Sequence, residues 1–396
     1  MGNKHSIASE SKIENNVFTL YVMNCDNTNF FPENKAKNVA KYGDNKLTVT
    51  MEYNGARKSI STRFVKRAIW ERGVFQFDLD SSFSKDFTLS LSTDASGLKW
   101  LDKPLSMDDL SENTIHQIVF RSNEIENELD GASASAPSAD SVTLNIFYTT
   151  KLFDIYYDDS NNSNNNNTLD IDSKLLLNTR WTNSQKRSLI FRENIDQLED
   201  GDLILYCGES GMSDLIRDRF YRPWSHVGIV VKAYPFHKKG EPRSTEKETY
   251  VLESVGKENI KDPFRTRQSL TGINLFKLSD RIVEYEGYCV QALRHPTPLS
   301  TEQRERLLTA AFEVHGSRAP FDVFQAGILM LERLNLWNIQ SNYAVFCSEL
   351  VAIMLFRCGL LPDELYKPAN TDPGECSDFP CFGGVHNSPM FLKYDV

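Results

Sequence analysis

Short alternations of apolar and polar positions recur between polar turns from Val17 to about residue 150. Residues 19–23, 46–53, 74–79, 87–92 and 142–149 carry a period of two, the mark of half-buried strands. The small-residue stretch ELDGASASAPSADS, 128–141, predicts a loop before a last strand. No helical period interrupts the series, so residues 17–150 are expected to form an antiparallel β-sandwich. Residues 1–16 are mostly polar and predict a flexible tail.

The pattern then breaks. DDSNNSNNNNTLDIDS, 158–173, has too little apolar surface to bury, so 151–189 is expected to be an Asn-rich linker and connector. From 190 to 365 strands and helices mix, which predicts an α+β domain. Strands are expected at 203–206, 226–231, 250–253, 273–278 and 288–292. A helix should start at Ser300, where Ser300 and Gln303 form a capping box, and stop at Gly316. Leu307, Leu308, Ala311 and Phe312 would be its buried face. A second apolar helix is expected over 321–336 and a third from Cys347 to Gly359. Residues 366–396 are expected to be a tail.

Composition narrows the function classes. The chain has 396 residues, enough for two domains, with a net charge of −10. That balance disfavours nucleic acid as a partner. No run of eighteen apolar residues suggests a transmembrane helix, and the first residues lack the apolar core of a secretory signal. The expected location is the cytoplasm. Seven scattered cysteines then imply reduced thiols. Cys376 and Cys381 lie close together but complete no zinc spacing and are expected to be ordinary loop thiols. No cofactor and no metal are expected.

Three segments carry candidate chemistry. In FCSELVAIMLFRCG, 346–359, Cys347 stands at the start of an apolar helix. Unpaired N–H groups and a partial positive charge at a helix N-terminus stabilise a thiolate, the nucleophilic form. Cys358, at the other end, is expected to be structural. In SHVGIVV, 225–231, His226 opens an apolar strand and can face a cleft. In YVLESVG, 250–256, Glu253 interrupts an apolar strand and needs a partner, a role that orienting His226 would fill. Each residue also has an ordinary reading: a small buried thiol, a strand-edge imidazole on the backbone, a salt-bridged glutamate. A zinc site on Cys347 and His226, with Glu253 as third ligand, matches no familiar spacing.

Together GDLIL (201–205), SHVGIVV (225–231), YVLES (250–254), APFD (319–322) and FCSELV (346–351) resemble the YiiX-like permuted papain enzymes. These are relatives of the NlpC-type peptidases and of lecithin:retinol acyltransferase. The likeness covers about 190–365, with histidine before cysteine as permutation requires. It implies an antiparallel sheet packed on helices, with Cys347 as nucleophile, His226 as base and then acid, and Glu253 as orienting member. An acyl-enzyme would pass its acyl group to water or to another acceptor. Asp202 would hold a structural turn. The charged stretch 233–249 is expected to be an inserted loop near the cleft rim. Residues 210–224 would form a wall of the site, with Arg217, Arg219 and Arg222 able to attract an anionic head group. The implied substrates are an acyl-containing lipid, a lipidated protein or a peptide. The competing class is a membrane adaptor without activity.

The first domain resembles a C2-type sandwich, most clearly in TRFVKRAIWERGVFQFDL, 62–79, where Trp70, Phe75 and Phe77 would pack the core. Asp44 and Asp94 are too few for a calcium site, which takes six to eight oxygens. Arg57, Lys58, Arg63, Lys66, Arg67 and Arg72 form a basic run suited to an anionic membrane surface. Gly2 and Ser6 fit the N-myristoylation pattern. One acyl chain binds membranes only marginally, so the basic run would supply the second contact.

Overall fold

The structure is a computed structural model. It describes residues 17–26, 45–63, 67–70, 73–78, 84–94, 102–111, 115–121, 141–149, 175–178, 188–220, 222–236, 244–256, 260–265, 271–317, 319, 346–366, 371–383 and 389–395.

Among the described residues, nine strands build the first half: β1 (Val17–Asp26), β2 (Lys46–Tyr53), β3 (Ala56–Arg63), β4 (Arg67–Ile69), β5 (Val74–Asp78), β6 (Asp86–Thr93), β7 (Lys103–Ser106), β8 (Ile115–Arg121) and β9 (Ser141–Thr149). One sheet runs β4-β1-β9-β8 with β5 also on β1, and the other runs β3-β2-β6-β7. Alternation decides which side chains turn inward. Leu47, Val49, Met51 and Tyr53 of β2 are all buried, as are Phe87, Leu89 and Leu91 of β6. The β2–β3 hairpin closes through Asn54 and Gly55, both at positive φ, the pair that a two-residue type I′ turn requires. Trp70, Phe75 and Phe77 are in the core, as the 62–79 pattern predicts. The predicted loop lies, but for Ser141, outside the described residues.

The second half contains β10 (Leu175–Asn178), β11 (Ser188–Phe191), α1 (Arg192–Asp196), β12 (Leu203–Gly208), α2 (Gly211–Phe220), β13 (His226–Ala233), β14 (Glu248–Val255), β15 (Gly272–Lys277), α3 (Leu278–Glu284), β16 (Gly287–Leu293), α4 (Thr301–Ser317), α5 (Cys347–Arg357), α6 (Pro373–Cys376) and β17 (Met390–Asp395). Its strands form one sheet, β10-β11-β17-β16-β12-β13-β14-β15, with antiparallel neighbours throughout. The two faces have different covers. Leu203, Leu205 and Leu252 pack with Leu307 and Ala311 of α4 and with Leu350 and Val351 of α5. Ile204, Tyr206 and Val251 pack with Leu278 and Ile282 of α3.

Several expectations need correction. The 366–396 segment is not a tail: β17 is an interior strand of the large sheet, its Phe391, Leu392 and Tyr394 buried. The 151–189 segment contains β10 and the first residues of β11; its asparagine tract lies outside the described residues. The Ser300–Gln303 capping box is present, with N–H···O distances of 2.9 and 3.1 Å. The helix it starts runs through Gly316 to Ser317. Phe312 is 38 % exposed, its ring turned edge-on to Phe264, and Ala310 takes the inward place. The 321–336 helix falls outside the described residues.

The two halves share one apolar cluster. Tyr21 and Met23 of β1, Ile69 of β4 and Phe147 of β9 pack with Leu189, Phe191 and Tyr394. The rings of Phe147 and Phe191 meet edge to face at 6.3 Å. Tyr394 also hydrogen-bonds to the backbone of the first half at Val22 and Trp70.

Candidate active site

His226 is the first residue of β13 and pairs with Tyr206 of β12, their rings 5.2 Å apart. Two residues on, Gly228 leaves a hole on the same face. A Cβ there would lie 2.7 Å from Cγ of Glu253 and 2.6 Å from Val251. The glycine therefore lets Glu253 lean across from β14, and its Oε2 lies 2.8 Å from Nε2 of His226.

Glu253 is fully buried, so its charge must be balanced. The guanidinium of Arg281 on α3 does this, with Nε 3.1 Å from both carboxylate oxygens and Nη2 3.0 Å from Oε2. The Tyr206 hydroxyl donates to Oε1. Burial alone would push the Glu253 carboxyl up. The charges of Arg281 and His226, with their hydrogen bonds, outweigh it and hold the group down at about 2. Neither Arg281 nor Tyr206 stands out in the sequence. The only signal there is the rule that a buried carboxylate needs a cation, and the rule does not say which one.

Cys347 opens α5, which packs across β13 and β14. Phe346 caps the helix in extended conformation, and its N–H donates to Oε2 of Glu349 at 3.3 Å. Cys347 lies close enough to the His226 side chain to act on its charge. Burial works against a charged imidazole here. Cys347, followed by Glu253, outweighs it and raises the ring to about 10. The structure thus brings together all three residues singled out from the sequence. Cys347 is 1 % exposed, whereas the His226 side chain is 16 % exposed, so the pair meets solvent at the imidazole.

The surroundings differ from expectation at several points. The described ends of the 233–249 stretch, 233–236 and 244–249, meet where Ala233 pairs with Glu248, the end of β13 far from His226, ~23 Å away by strand rise; residues 237–243 lie outside the described set. Two of the three α2-region arginines are occupied. Arg217 pairs with Asp214 at 2.5 Å, and Arg222 is buried against Asp378 at 2.8 Å and bonded to the Gly374 carbonyl. The Arg219 side chain lies outside the described set. Cys376 is no loop thiol: it is buried in α6 with its sulfur 3.9 Å from the Ser348 carbonyl, and burial pushes it well up. Cys358 is buried and pushed up to about 12, which suits a structural role. Asp202 accepts from the N–H of Glu199 and of His295, the expected turn.

In the first half, Arg57 and Lys58 are exposed on β3. Arg63 and Arg67 lie on β3 and β4, but their side chains are outside the described set, as are Gly2, Asp44, Lys66 and Arg72 altogether. Asp94 accepts the Lys46 N–H at 2.5 Å. Among the described residues no group of three or more His, Cys, Asp or Glu is placed to hold a metal ion.

No family model matches the chain, and no curated protein matches it. Weak likenesses to solved structures exist. One is metalloprotein YiiX from Escherichia coli O157:H7, at 18 % identity and TM-score 0.29, covering 50 % of this chain and 97 % of that one. Another is a C2 domain of plant Extended Synaptotagmin 1, at 10 % identity and TM-score 0.21, covering 35 % and 96 %. A third is human GIVD cytosolic phospholipase A2, at 9 % identity and TM-score 0.21, covering 66 % of this chain and 28 % of that one. The likenesses are thus to YiiX and to C2 domains, and the chain itself combines sheets and helices.

Proposed function

We propose that this protein is a cysteine hydrolase of permuted papain type that cleaves an amide, ester or thioester through Cys347, His226 and Glu253. One observation carries the reading: His226 lies beside Cys347 at the start of α5 and, through Nε2, is hydrogen-bonded to buried Glu253. In the reaction the thiolate attacks the substrate carbonyl carbon. A C–S bond forms, and the bond to the leaving group breaks as His226 gives that group its proton. Water, deprotonated by His226, then releases the acid and restores the thiol. Backbone N–H groups at the start of α5 would supply donors to the developing oxyanion. An acceptor other than water would make the same chemistry an acyl transfer.

An acyl-containing lipid or lipidated protein is the substrate class we favour over a peptide. Exposed Arg57 and Lys58 on β3 support a peripheral position on an anionic membrane from the cytoplasm, with acylated Gly2 as second anchor. The test is intact-mass analysis after incubation with a long-chain acyl thioester and, separately, with an activated peptide ester. The expected result is a single acyl adduct on the wild type, none on Cys347→Ala, and faster labelling by the lipid probe. Equal labelling of wild type and Cys347→Ala would return the protein to the adaptor class.

A further inference from the structure

We propose that Arg281 and Tyr206 are positioning residues of this site: both fix the Glu253 carboxylate toward His226, and Arg281 in addition sets the acid edge of reactivity at the site. The inference rests on the hydrolase reading and adds residues that the Cys–His–Glu constellation does not include.

Glu253 has two oxygens, and the structure gives each its own work. Oε1 takes the Tyr206 hydroxyl and Oε2 takes His226, while Arg281 spans both. A planar fork holding both oxygens prevents the carboxylate from rotating, which a point charge would not do. Arg281 is itself immobilised. It is 1 % exposed, and its guanidinium carbon stands 5.0 Å from the Tyr206 ring, 5.1 Å from Tyr285 and 5.7 Å from Phe276.

The Glu253 carboxylate stands between two cations, the Arg281 guanidinium and the His226 ring. Facing this group are Tyr206 and Cys207 from β12, His226 from β13, Arg281 from α3, Tyr285 after α3, Cys289 from β16, Cys347 from α5 and, beside Cys347, Cys376 from α6. Both tyrosines are pushed well up by burial and stay neutral. Arginine does not lose its proton in proteins, so its pairing with Glu253 is permanent. Without Arg281, the buried Glu253 carboxylate would have only the His226 ring to balance it. As pH falls, it must then take a proton earlier. The ring loses the carboxylate that supports its charge, and the acid edge of reactivity moves to higher pH.

The experiment follows iodoacetamide incorporation at Cys347 by peptide mass across pH, on the full chain. Arg281→Met should move the acid edge up by about one pH unit or more. Arg281→Lys, which keeps charge but not the two-oxygen fork, should move it less in the same direction. Tyr206→Phe should keep the edge and slow acyl transfer from the thioester probe. An Arg281→Met protein with wild-type circular dichroism and an unmoved profile overturns the proposal. If Arg281→Met does not fold, an unmoved profile in Arg281→Lys overturns it instead. A wild-type Cys347 that reacts like a free thiol overturns the hydrolase reading itself, a distinct outcome.

Discussion

The Tyr394 hydroxyl, in the last strand, lies 2.6 Å from the carbonyl of Trp70, 324 residues earlier in the chain. The Val22 carbonyl and the Gly73 N–H also lie within reach, at 3.2 and 3.4 Å. A single buried phenol therefore ties the backbone of the β-sandwich to the large sheet. Tyr394→Phe would strip these bonds at almost constant volume and leave buried polar groups short of a partner. A loss of about 1–3 kcal/mol is expected in urea unfolding. Unfolding should remain a single transition, because the apolar contacts of Phe147 and Phe191 survive. An unchanged midpoint would show that the hydroxyl contributes nothing to joining the halves.

The charged pair at the site predicts a bell-shaped stability profile. His226 is raised from 6.5 to about 10, so its contribution is complete below pH 6.5 and disappears as pH rises toward 10. Glu253 is lowered from 4.5 to about 2, so its contribution is complete above pH 4.5 and disappears as pH falls toward 2. The two shifts share the His226–Glu253 contact and are not summed; the leading favourable neighbour is Cys347 for His226 and Arg281 for Glu253. Both groups are fully engaged between pH 4.5 and 6.5, where the thermal midpoint should peak. Glu253→Gln should remove the acid limb and lessen the alkaline one. If wild type and Glu253→Gln trace parallel curves, the pair does not contribute as described.

Gly228 is predicted to be intolerant of even one methyl group. The added carbon would lie 2.7 Å from Cγ of Glu253, a contact that real Cβ atoms do not make. Glu253 would have to withdraw from His226 or the strands part. Overpacking of this kind costs about 1–3 kcal/mol. Gly228→Ala should therefore lower the unfolding midpoint and reduce acyl transfer far more than it reduces probe binding. Full activity in Gly228→Ala would mean that Glu253 does not need its place beside the imidazole.

What was legible in the sequence follows from range. Strands such as β2 and β6 announce themselves because one face is buried, and alternation records burial residue by residue. Cys347, His226 and Glu253 were legible because each breaks a local apolar pattern at the end or middle of an element. Arg281 was not, since its partner lies 28 residues away and its burial is decided by three aromatic rings from different elements. The strand β17 was missed for a related reason. MFLKYD is short, and its interior place depends on β11 and β16, its neighbours on either side. The rim position of 233–249 failed on strand length: eight residues of β13 put its two ends far apart.

The membrane proposal predicts a measurable electrostatic contribution from β3. Arg57 and Lys58 are neighbours on an edge strand of the second sandwich sheet and point to its opposite faces, Arg57 across from exposed Glu52 and Lys58 across from buried Met51. Lys58 stands with its Nζ 4.5 Å from the Phe77 ring. Near an anionic surface one such charge contributes about 1 kcal/mol. Arg57→Ala should therefore weaken partition onto phosphatidylserine vesicles by roughly 5-fold, from ~1 kcal/mol at ~1.4 kcal/mol per tenfold. Binding of the wild type should fall steeply with salt, since exposed charges are screened beyond ~8 Å at physiological ionic strength. Vesicles of neutral lipid should show no difference between the two proteins. Equal partition of both onto anionic vesicles would remove this strand from the membrane contact.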